Sequence, residues 1–326
     1  MAKVINQDSG NGWTIYNGDC VEVTQGIPDN SLGFSVYSPP FAGLYIYSDS
    51  ERDMGNCSSD DEFFDHYEFL MREIYRATIP GRLTAIHCKD LPAYFHSDGY
   101  AGLKDFPGEV IRRHERCGWK FHSRITIWKC PVTERERTNN NGLLHKTLLR
   151  DRSQLRQGMA DYLIVMRKVE GDLNSAAPVT NDGGLLEYIG DSDADPREPD
   201  GFHPSKFARK KLASDDSINL WRRYAEPVWW DIDQQNVLNG KIARSDKDEK
   251  HICPLQLDVI ARAVQLWTNP GDVVFSPFAG IGSEGHESIR LGRKFVGVEL
   301  KPEYFDHACT HLKQAEASAS EQDLFA

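Results

Sequence analysis

A glycine-rich turn near the carboxyl end is the feature that most limits how this chain can fold. The turn, Phe278-Ala279-Gly280-Ile281-Gly282-Ser283, directly follows a predicted strand at 273–275 and precedes a predicted helix at about 284–291. Glycines permit a tight turn and close approach to a ligand, and the free N–H groups at a helix start favour an anion. Glu299 ends the next predicted strand, where an acid can accept hydrogen bonds from ribose hydroxyls. The pattern predicts a nucleoside-containing cofactor. Gly285 stands where the dinucleotide-binding fingerprint has its third glycine, so a nicotinamide cofactor is also compatible with this motif.

Apolar residues alternate between strand-like and helix-like spacing over most of the chain. The predicted strands lie at 33–37, 83–87, 121–129, 161–168 and 295–299, and the predicted helices at 60–78, 106–117, 254–267 and 302–315. Alternating strands and helices are typical of an α/β fold with a mainly parallel sheet. The polar end, Glu316 to Ala326, is predicted to fray. With 326 residues, 40% of them hydrophobic, the chain can bury a large core.

A second motif, Ser38-Pro39-Pro40-Phe41, follows the predicted strand at 33–37. Two prolines end a central strand and fix the loop that follows it. The side-chain oxygen of Ser38 and the carbonyl of Pro39 can accept the two N–H bonds of an exocyclic amine on a nucleobase. Phe41 can stack on a base that has been extruded from a duplex. By itself, the motif is also compatible with a rigid turn and a core aromatic residue.

Together and in this order, the motifs resemble the permuted β class of amino-group DNA methyltransferases. In that family the catalytic tetrapeptide comes first, a target recognition domain follows, and the S-adenosylmethionine site comes last. Other segments are similar to the family as well: Tyr16–Cys20, Ile27–Ser31, Lys250–Gln256 and Gly297–Tyr304. The resemblance covers residues 12–168 and 246–315. It implies a Rossmann-like methyltransferase fold with a twisted, mainly parallel sheet and a circularly permuted motif order.

The resemblance also implies a set of site residues. The catalytic loop would consist of Ser38, Pro39, Pro40 and Phe41. The cofactor, S-adenosylmethionine, would be held at its methionine part by Phe278, Gly280 and Gly282, with Ala279 and Ser283 in the same loop, and at its ribose by Glu299. Asp19 and His251 would be weaker cofactor contacts.

The chain departs from the family pattern at two positions. Adenine enzymes more often begin the tetrapeptide with Asp or Asn. This chain begins it with a serine, Ser38, and serine is commoner in N4-cytosine enzymes. Ser276 stands where the family often has Asp before Pro277. The longer run 38–56 nevertheless resembles stand-alone and prophage-type methylases that act on adenine. The hypothesis is therefore methylation of N6 of adenine, with N4 of cytosine as the alternative.

The implied chemistry needs no covalent enzyme intermediate, because the sulfonium already activates the methyl group. Ser38 is predicted to orient the amine, since without a neighbouring base it is a poor nucleophile. Methylation at C5 of cytosine is disfavoured, because it needs a thiolate in a Pro-Cys context and the order here is Cys130-Pro131 and Cys253-Pro254. His87 and Cys88 are predicted to pack at a strand end or to line the pocket, and no metal site is predicted.

Composition along the chain predicts three parts. Residues 1–168 form the catalytic half of the methyltransferase domain, including a basic insert at about 130–159. Residues 169–245, rich in Gly, Asp, Asn, Pro and Ser, form a small target recognition domain. Residues 246–326 form the cofactor-binding half.

Basic residues concentrate in two regions although the whole chain is acidic, with a net charge of −11. Between residues 112 and 156, twelve basic and four acidic residues give a local balance of 12 − 4 = +8. Basic side chains with interleaved aromatics suit phosphate contact and base stacking. The candidate contacts to double-stranded DNA are Arg135, Arg137, Lys146, Arg150, Arg152 and Arg156, and then Lys206, Arg209, Lys210, Lys211, Arg222 and Arg223. A solvated, salt-bridged surface would have the same composition.

Other classes of protein fit the sequence less well. Seven cysteines without a Cys-x-x-Cys pair disfavour a zinc ribbon or a disulfide scaffold and suggest reduced thiols in a cytoplasmic protein. Apolar runs are too short for a membrane span, and the polar start lacks a signal core. A nicotinamide-dependent oxidoreductase would leave Ser38–Phe41 unexplained, and a DNA-binding module without catalysis would have no cofactor. Homodimerisation stays open, and no restriction partner can be inferred.

Overall fold

The computed structural model describes residues 4–40, 54–57, 59–138, 144–169, 177–180, 185, 187–190, 216–238 and 255–323. Among the predicted site residues, Phe41, Lys206, Arg209, Lys210, Lys211 and His251 lie outside these ranges, as does the side chain of Arg137.

A nine-stranded sheet forms the centre of the molecule. Its strands, in chain order, are β1 (Asn6–Gly10), β2 (Trp13–Asn17), β3 (Leu32–Tyr37), β4 (Thr78–Lys89), β7 (Lys120–Ile127), β8 (Asp161–Arg167), β9 (Val228–Trp229), β10 (Val273–Ser276) and β11 (Lys294–Glu299). In space the order is β1-β2-β11-β10-β3-β4-β8-β7-β9. Two short strands, β5 (Leu91–Ala93) and β6 (Gly102–Lys104), form a separate antiparallel pair.

The sheet is mainly parallel, as predicted. Strands β2, β11, β10, β3 and β4 run in one direction, β1 is antiparallel to β2, and β8 is antiparallel to both β4 and β7. The order reverses between β10 and β3, which come from opposite ends of the chain. Open α/β sheets bind ligands at the carboxyl ends of the strands beside such a switch point.

Ten helices surround the sheet in the described residues. They are α1 (Cys20–Gln25), α2 (Asp60–Ala77), α3 (Phe95–Asp98), α4 (Phe106–Arg116), α5 (Pro131–Thr138), α6 (His145–Arg150), α7 (Asp216–Tyr224), α8 (Leu257–Trp267), α9 (Ser283–Arg290) and α10 (Pro302–Asp323). Helix α2 begins at Asp60 because the Ser59 hydroxyl accepts a hydrogen bond from the Glu62 N–H at 3.1 Å. Every residue of β3 is buried, because β3 lies between β10 and β4 in a sheet covered by helices. No helix in the described ranges has the length and apolar character to cross a membrane.

The carboxyl-terminal end differs from its prediction. Helix α10 continues to Asp323, so the frayed tail predicted from Glu316 was wrong for most of its length. The Glu316 carboxylate accepts hydrogen bonds from Trp13 Nε1 at 2.7 Å and from the Asn11 N–H at 3.0 Å. These two contacts fix the last turns of α10 against the first strands, a long-range pairing that polarity alone does not reveal.

Part of the region predicted as a separate recognition domain belongs to the central sheet. Strand β9 pairs with β7, and Trp229 is fully buried in the main core. Asp231 forms an ion pair with the fully buried Arg262 of α8, whose Nη1 lies 3.0 Å from Asp231 Oδ1. Residues 228–232 therefore pack against β7 and α8, whereas most of 169–215 and all of 239–254 lie outside the described ranges.

Candidate active site and cofactor site

The two sequence motifs meet at the switch point of the sheet. Strand β10 leads into the glycine-rich loop, and β3, its hydrogen-bonded neighbour, leads into Ser38. Val274 lies opposite Phe34 and Phe275 opposite Ser35, so the two loops leave the sheet from adjacent strands at the same edge. Pro39 is buried directly after this edge. The fold therefore brings together segments that lie more than two hundred residues apart in the chain.

The two glycines of the loop have different surroundings. Gly280 and Gly282 both have positive φ, +52° and +92°, a conformation that favours glycine. A Cβ at Gly280 would meet nothing within 4 Å, whereas a Cβ at Gly282 would lie 3.2 Å from the Cα of Ala308 in α10. Gly280 thus borders open space that a ligand can fill. Gly282 is required for the close approach of α10.

Glu299 is held beside this loop by main-chain donors. Its Oε2 accepts a hydrogen bond from the Gly280 N–H at 2.8 Å, and its Oε1 accepts one from the Lys301 N–H at 2.9 Å. Asn17 Nδ2 donates to the Glu299 carbonyl at 2.9 Å and so ties β2 to the end of β11. The carboxylate predicted to bind ribose is therefore fixed next to the open side of Gly280.

Asp19 has a clear structural task in this region. Its Oδ1 accepts hydrogen bonds from the N–H groups of Val21 at 2.9 Å and Glu22 at 3.0 Å, which caps helix α1. The Gly18 N–H donates to the Glu299 carbonyl at 3.1 Å, so Asp19 lies close to the end of β11. Asp19, which was predicted to be a weak cofactor contact, therefore lies near the site, and its carboxylate already caps helix α1.

Phe278 links the glycine-rich loop to the loop that begins at Ser38. Its ring lies 5.9 Å from that of Tyr37, the residue before Ser38, and 6.4 Å from that of Tyr67. Tyr67 in turn donates a hydrogen bond to the Tyr37 hydroxyl at 3.0 Å. This aromatic contact sets the relative position of the two loops. Ala279 and Ser283, the other loop residues predicted at the cofactor, are both buried.

Two buried polar groups flank the loop on either side. The Ser276 hydroxyl, at the end of β10, has no hydrogen-bond partner among the described residues. Glu284, in the first turn of α9, is almost fully buried. Burial raises the pKa of the Glu284 carboxyl to about 8, and the nearby charge of Glu299 adds to this. The glycine-rich loop therefore lies between a hydroxyl without a hydrogen-bond partner among the described residues and a buried acid.

Ser38 has a histidine as its direct neighbour. Ser38 Oγ lies 2.8 Å from His87 Nδ1, and His87 Nε2 lies 3.0 Å from Asp161 Oδ2. His87 and Asp161 are both more than nine-tenths buried. The prediction that Ser38 lacks a neighbouring base was therefore wrong. Sequence reasoning assigned His87 to strand-end packing or pocket lining and did not single out Asp161.

The strand register explains how these three side chains meet. Tyr37 lies opposite Ile86 in the parallel pair of β3 and β4, so Ser38, the first residue after β3, lies beside His87 within β4. Asp161 begins the antiparallel strand β8 and lies opposite Lys89. Ser38 and His87 are 49 residues apart, and His87 and Asp161 are 74 residues apart. The available signal was a histidine near the end of the strand next to β3.

Lys129 completes the group behind Ser38. Its Nζ lies 2.8 Å from Asp161 Oδ2 and donates to Gln234 Oε1 at 2.7 Å. Burial acts to raise the pKa of the Asp161 carboxyl, but the hydrogen bond to His87 and the charge of Lys129 outweigh it and hold that pKa well below its usual range. Asp161 is therefore ionised at neutral pH and serves as an acceptor.

The predicted DNA contacts differ in exposure. Arg135, Lys146, Arg150, Arg152 and Arg222 are exposed, and Arg156 is half-buried. Arg223 is only 4% exposed, its Nε lies 3.4 Å from Asp231 Oδ2, and its guanidinium lies 4.2 Å from the Trp230 ring centre. The assignment of Arg223 to DNA was therefore wrong, because its charge is used inside the fold.

Comparison with known families now identifies the group to which this architecture belongs. The model of the N6/N4 methyltransferase family, described as DNA methylase, matches residues 34–310. The chain is a member of the N6/N4 DNA methylase family. The match includes both motifs, so the resemblance inferred from them is confirmed.

Individual family members match over shorter segments. The DNA adenine methyltransferase YhdJ of Escherichia coli K12 is 34% identical over 77 residues, which cover 24% of this chain and 26% of that protein. The Type II methyltransferase M1.MboII of Moraxella bovis is 32% identical over 96 residues, 29% of this chain and 35% of that protein. The matched segments thus span about a quarter to a third of these relatives.

Solved structures match the fold over nearly the whole chain. TTHA0409 of Thermus thermophilus, described as a DNA modification methylase and solved with S-adenosyl-L-methionine, aligns with a TM-score of 0.60 at 20% identity, covering 92% of this chain and 93% of that one. The cytosine-N4-specific PvuII DNA methyltransferase aligns with a TM-score of 0.56 at 16% identity, covering 94% and 92%. The predicted Rossmann-like methyltransferase fold is confirmed.

Proposed function

We propose that this chain transfers a methyl group from S-adenosylmethionine to the exocyclic amine of a flipped base in double-stranded DNA. The observation that carries the proposal is the juxtaposition of Ser38 and the open face of Gly280 at adjacent strand ends. Family membership supports the same reaction. A nicotinamide oxidoreductase would need no amine acceptor beside its cofactor loop.

The residues around the glycine loop fit S-adenosylmethionine. The space beside Gly280 accommodates a ligand close to the main chain, and the fixed Glu299 carboxylate suits ribose hydroxyls. The Ser276 hydroxyl and the Glu284 carboxyl are the polar groups suited to the amino-acid end, which carries an ammonium and a carboxylate. In this assignment, Glu284 supplies the acid that the family often has at the position of Ser276. When bound, the cofactor supplies an electrophilic methyl group on a sulfonium.

The tetrapeptide orients the base. An exocyclic amine is a weak nucleophile because its lone pair is delocalised into the ring. Ser38 Oγ and the Pro39 carbonyl would accept its two N–H bonds and direct the nitrogen lone pair at the methyl group. The buried Pro39 fixes this geometry before the base arrives. Phe41 would stack on the extruded base.

The proposed target is N6 of adenine, with N4 of cytosine as the second candidate. The run 38–56 resembles adenine methylases, and a relative matched by sequence is an adenine enzyme. The serine at position 38 favours the second candidate, and a structural neighbour is specific for cytosine N4. Both bases present an amine to the same pair of acceptors, so the choice depends on the pocket around the ring.

DNA would approach along the edge of the sheet where Ser38 lies. Helix α5 starts at Pro131, two residues after Lys129, so the basic segment 135–156 begins beside the active site. Its exposed cations suit duplex phosphates. Residues 169–245 would carry target recognition, and such an enzyme would act in the cytoplasm.

Nucleoside mass spectrometry tests this proposal directly. Unmethylated genomic DNA is incubated with the protein and S-adenosylmethionine, digested to nucleosides and analysed for methylated bases. The expected product is N6-methyladenine, and N4-methylcytosine would establish the second candidate. DNA without new methyl groups, or with 5-methylcytosine, would contradict the proposed reaction.

A further inference from the structure

We propose that His87 and Asp161 form a proton relay behind Ser38, which removes the proton that the target amine loses on methylation. The inference rests on the proposed function and goes beyond it, since it assigns the destination of the proton. His87 acts through Ser38 and does not contact the base. The arrangement consists of the 2.8 Å contact from Ser38 Oγ to His87 Nδ1 and the 3.0 Å contact from His87 Nε2 to Asp161 Oδ2.

The ionised aspartate fixes the direction of the hydrogen bonds. An ionised carboxylate can only accept, so His87 Nε2 carries the hydrogen that it donates to Asp161. In the neutral ring, Nδ1 is then the acceptor, and the Ser38 hydroxyl donates to it. Both lone pairs of Ser38 Oγ remain available for an N–H of the amine. The relay therefore makes Ser38 a better acceptor than an isolated serine.

The proton balance of the reaction requires such an acceptor. An amine that gains a methyl group becomes positively charged and must lose one of its two original hydrogens. In the relay, that N–H bond breaks as Ser38 Oγ takes the proton, while the Ser38 proton moves to His87 Nδ1. Ser38 ends as a hydroxyl, and His87 ends as an imidazolium next to the Asp161 carboxylate. The imidazolium afterwards releases the proton to water.

Charged groups from neighbouring elements surround the relay. The negative carboxylate of Asp161, in β8, attracts the proton. The positive Nζ of Lys129, which follows β7, lies 2.8 Å from Asp161 Oδ2. The next charged groups outward are Lys89 at the end of β4 and Glu134 of α5, 3.9 Å apart. Lys129 therefore neutralises part of the negative charge that Asp161 presents to the His87 ring.

Single-turnover methyl transfer between about pH 5 and pH 9 tests the relay, with His87→Asn as the main variant. The Asn Oδ1 can accept the Ser38 hydrogen bond but cannot take its proton. We expect the parent rate to fall towards low pH, because only a neutral ring can accept the proton from Ser38. We expect His87→Asn to be slower by about 10²-fold to 10⁴-fold without this pH dependence, and with unchanged affinity for DNA and cofactor. A His87→Asn rate and pH profile equal to those of the parent would overturn the relay.

Two further measurements keep the test independent of a single variant. Lys129→Gln removes the positive charge beside the Asp161 carboxylate, so that carboxylate stabilises the protonated ring more strongly. The midpoint of the pH profile should then move to higher pH. An unmoved midpoint argues against the relay. In the protein without cofactor, ¹⁵N NMR of the His87 ring should show hydrogen on Nε2 and none on Nδ1 at neutral pH, and the reverse would refute the relay.

If the parent methylates no base at all, the proposed function fails and the relay with it. If the parent methylates DNA but no faster than His87→Asn does, only the relay fails.

Discussion

The two loops at the switch point are built in different ways. The glycine-rich loop, the proposed cofactor site, depends on its backbone: positive φ at Gly280 and Gly282 and main-chain donors to Glu299. The proposed catalytic centre depends on side chains in or shortly after four separate strands, namely Ser38, His87, Asp161 and Lys129. Their charges differ as well, since acids surround the first loop and a basic segment begins beside the second.

This contrast determines how each loop tolerates substitution. A backbone-built site fails through steric overlap or a forbidden φ, which changes binding or folding. A site built from a hydrogen-bonded chain of side chains fails when one member is removed, which changes rate while the fold persists. Measurements of binding, stability and rate in single variants separate these two kinds of failure.

The largest expected effect is on turnover at Ser38. Ser38→Ala removes the acceptor for the amine and the entry to the relay, so methyl transfer should slow by about 10²-fold to 10⁴-fold. Cofactor affinity, measured by calorimetry, should be nearly unchanged, because Ser38 follows β3 and is not part of the glycine loop. Ser38→Asn, which retains an acceptor oxygen, should keep part of the activity and serves as the matched control. Full methylation by Ser38→Ala would show that the tetrapeptide is only a turn.

The next effect separates the two glycines. Gly282→Leu should lower the free energy of unfolding by about 2–4 kcal/mol, because the new side chain meets the Cα of Ala308 at a positive φ. Gly280→Leu carries only the cost of its φ, about 1–2 kcal/mol, but should weaken S-adenosylmethionine binding by filling the open space. Urea unfolding and calorimetry on both variants make the comparison. Unchanged cofactor affinity in Gly280→Leu would show that the cofactor does not bind at this loop.

The same contrast explains how much could be predicted from sequence. The strand, turn and helix around Gly280 are contiguous, so local periodicity and glycine spacing were enough to find them. The neighbours of Ser38 come from β4, β8 and the end of β7, and only strand order and register bring them together. Arg223 shows the same limit, because its basic character is visible in sequence and its burial against Asp231 and Trp230 is not.

Glu284 should make stability depend on pH. Burial raises the pKa of its carboxyl to about 8 in the folded protein, above the ordinary value, so the folded state binds more protons than the unfolded state between these two values. Stability from this group is therefore greatest in acid and falls as pH rises towards 8. Glu284→Gln should leave stability near pH 5 almost unchanged and raise it by about 1–3 kcal/mol near pH 8. Urea unfolding at the two pH values measures this, and an equal effect at both would show that the carboxyl is not desolvated.

The smallest expected effect concerns the basic segment beside the catalytic loop. Arg150 and Arg152 are exposed, and each phosphate contact contributes about 0.9 to the slope of log affinity against log salt concentration. Replacing both with Gln should weaken binding to duplexes of any sequence and reduce that slope by roughly one to two. Arg72→Gln removes one positive charge from an exposed site on α2, outside the segment, and should leave the slope unchanged. If the double variant lost affinity for one sequence only, with its salt slope intact, these arginines would contact bases and the basic segment would determine specificity instead of positioning the backbone.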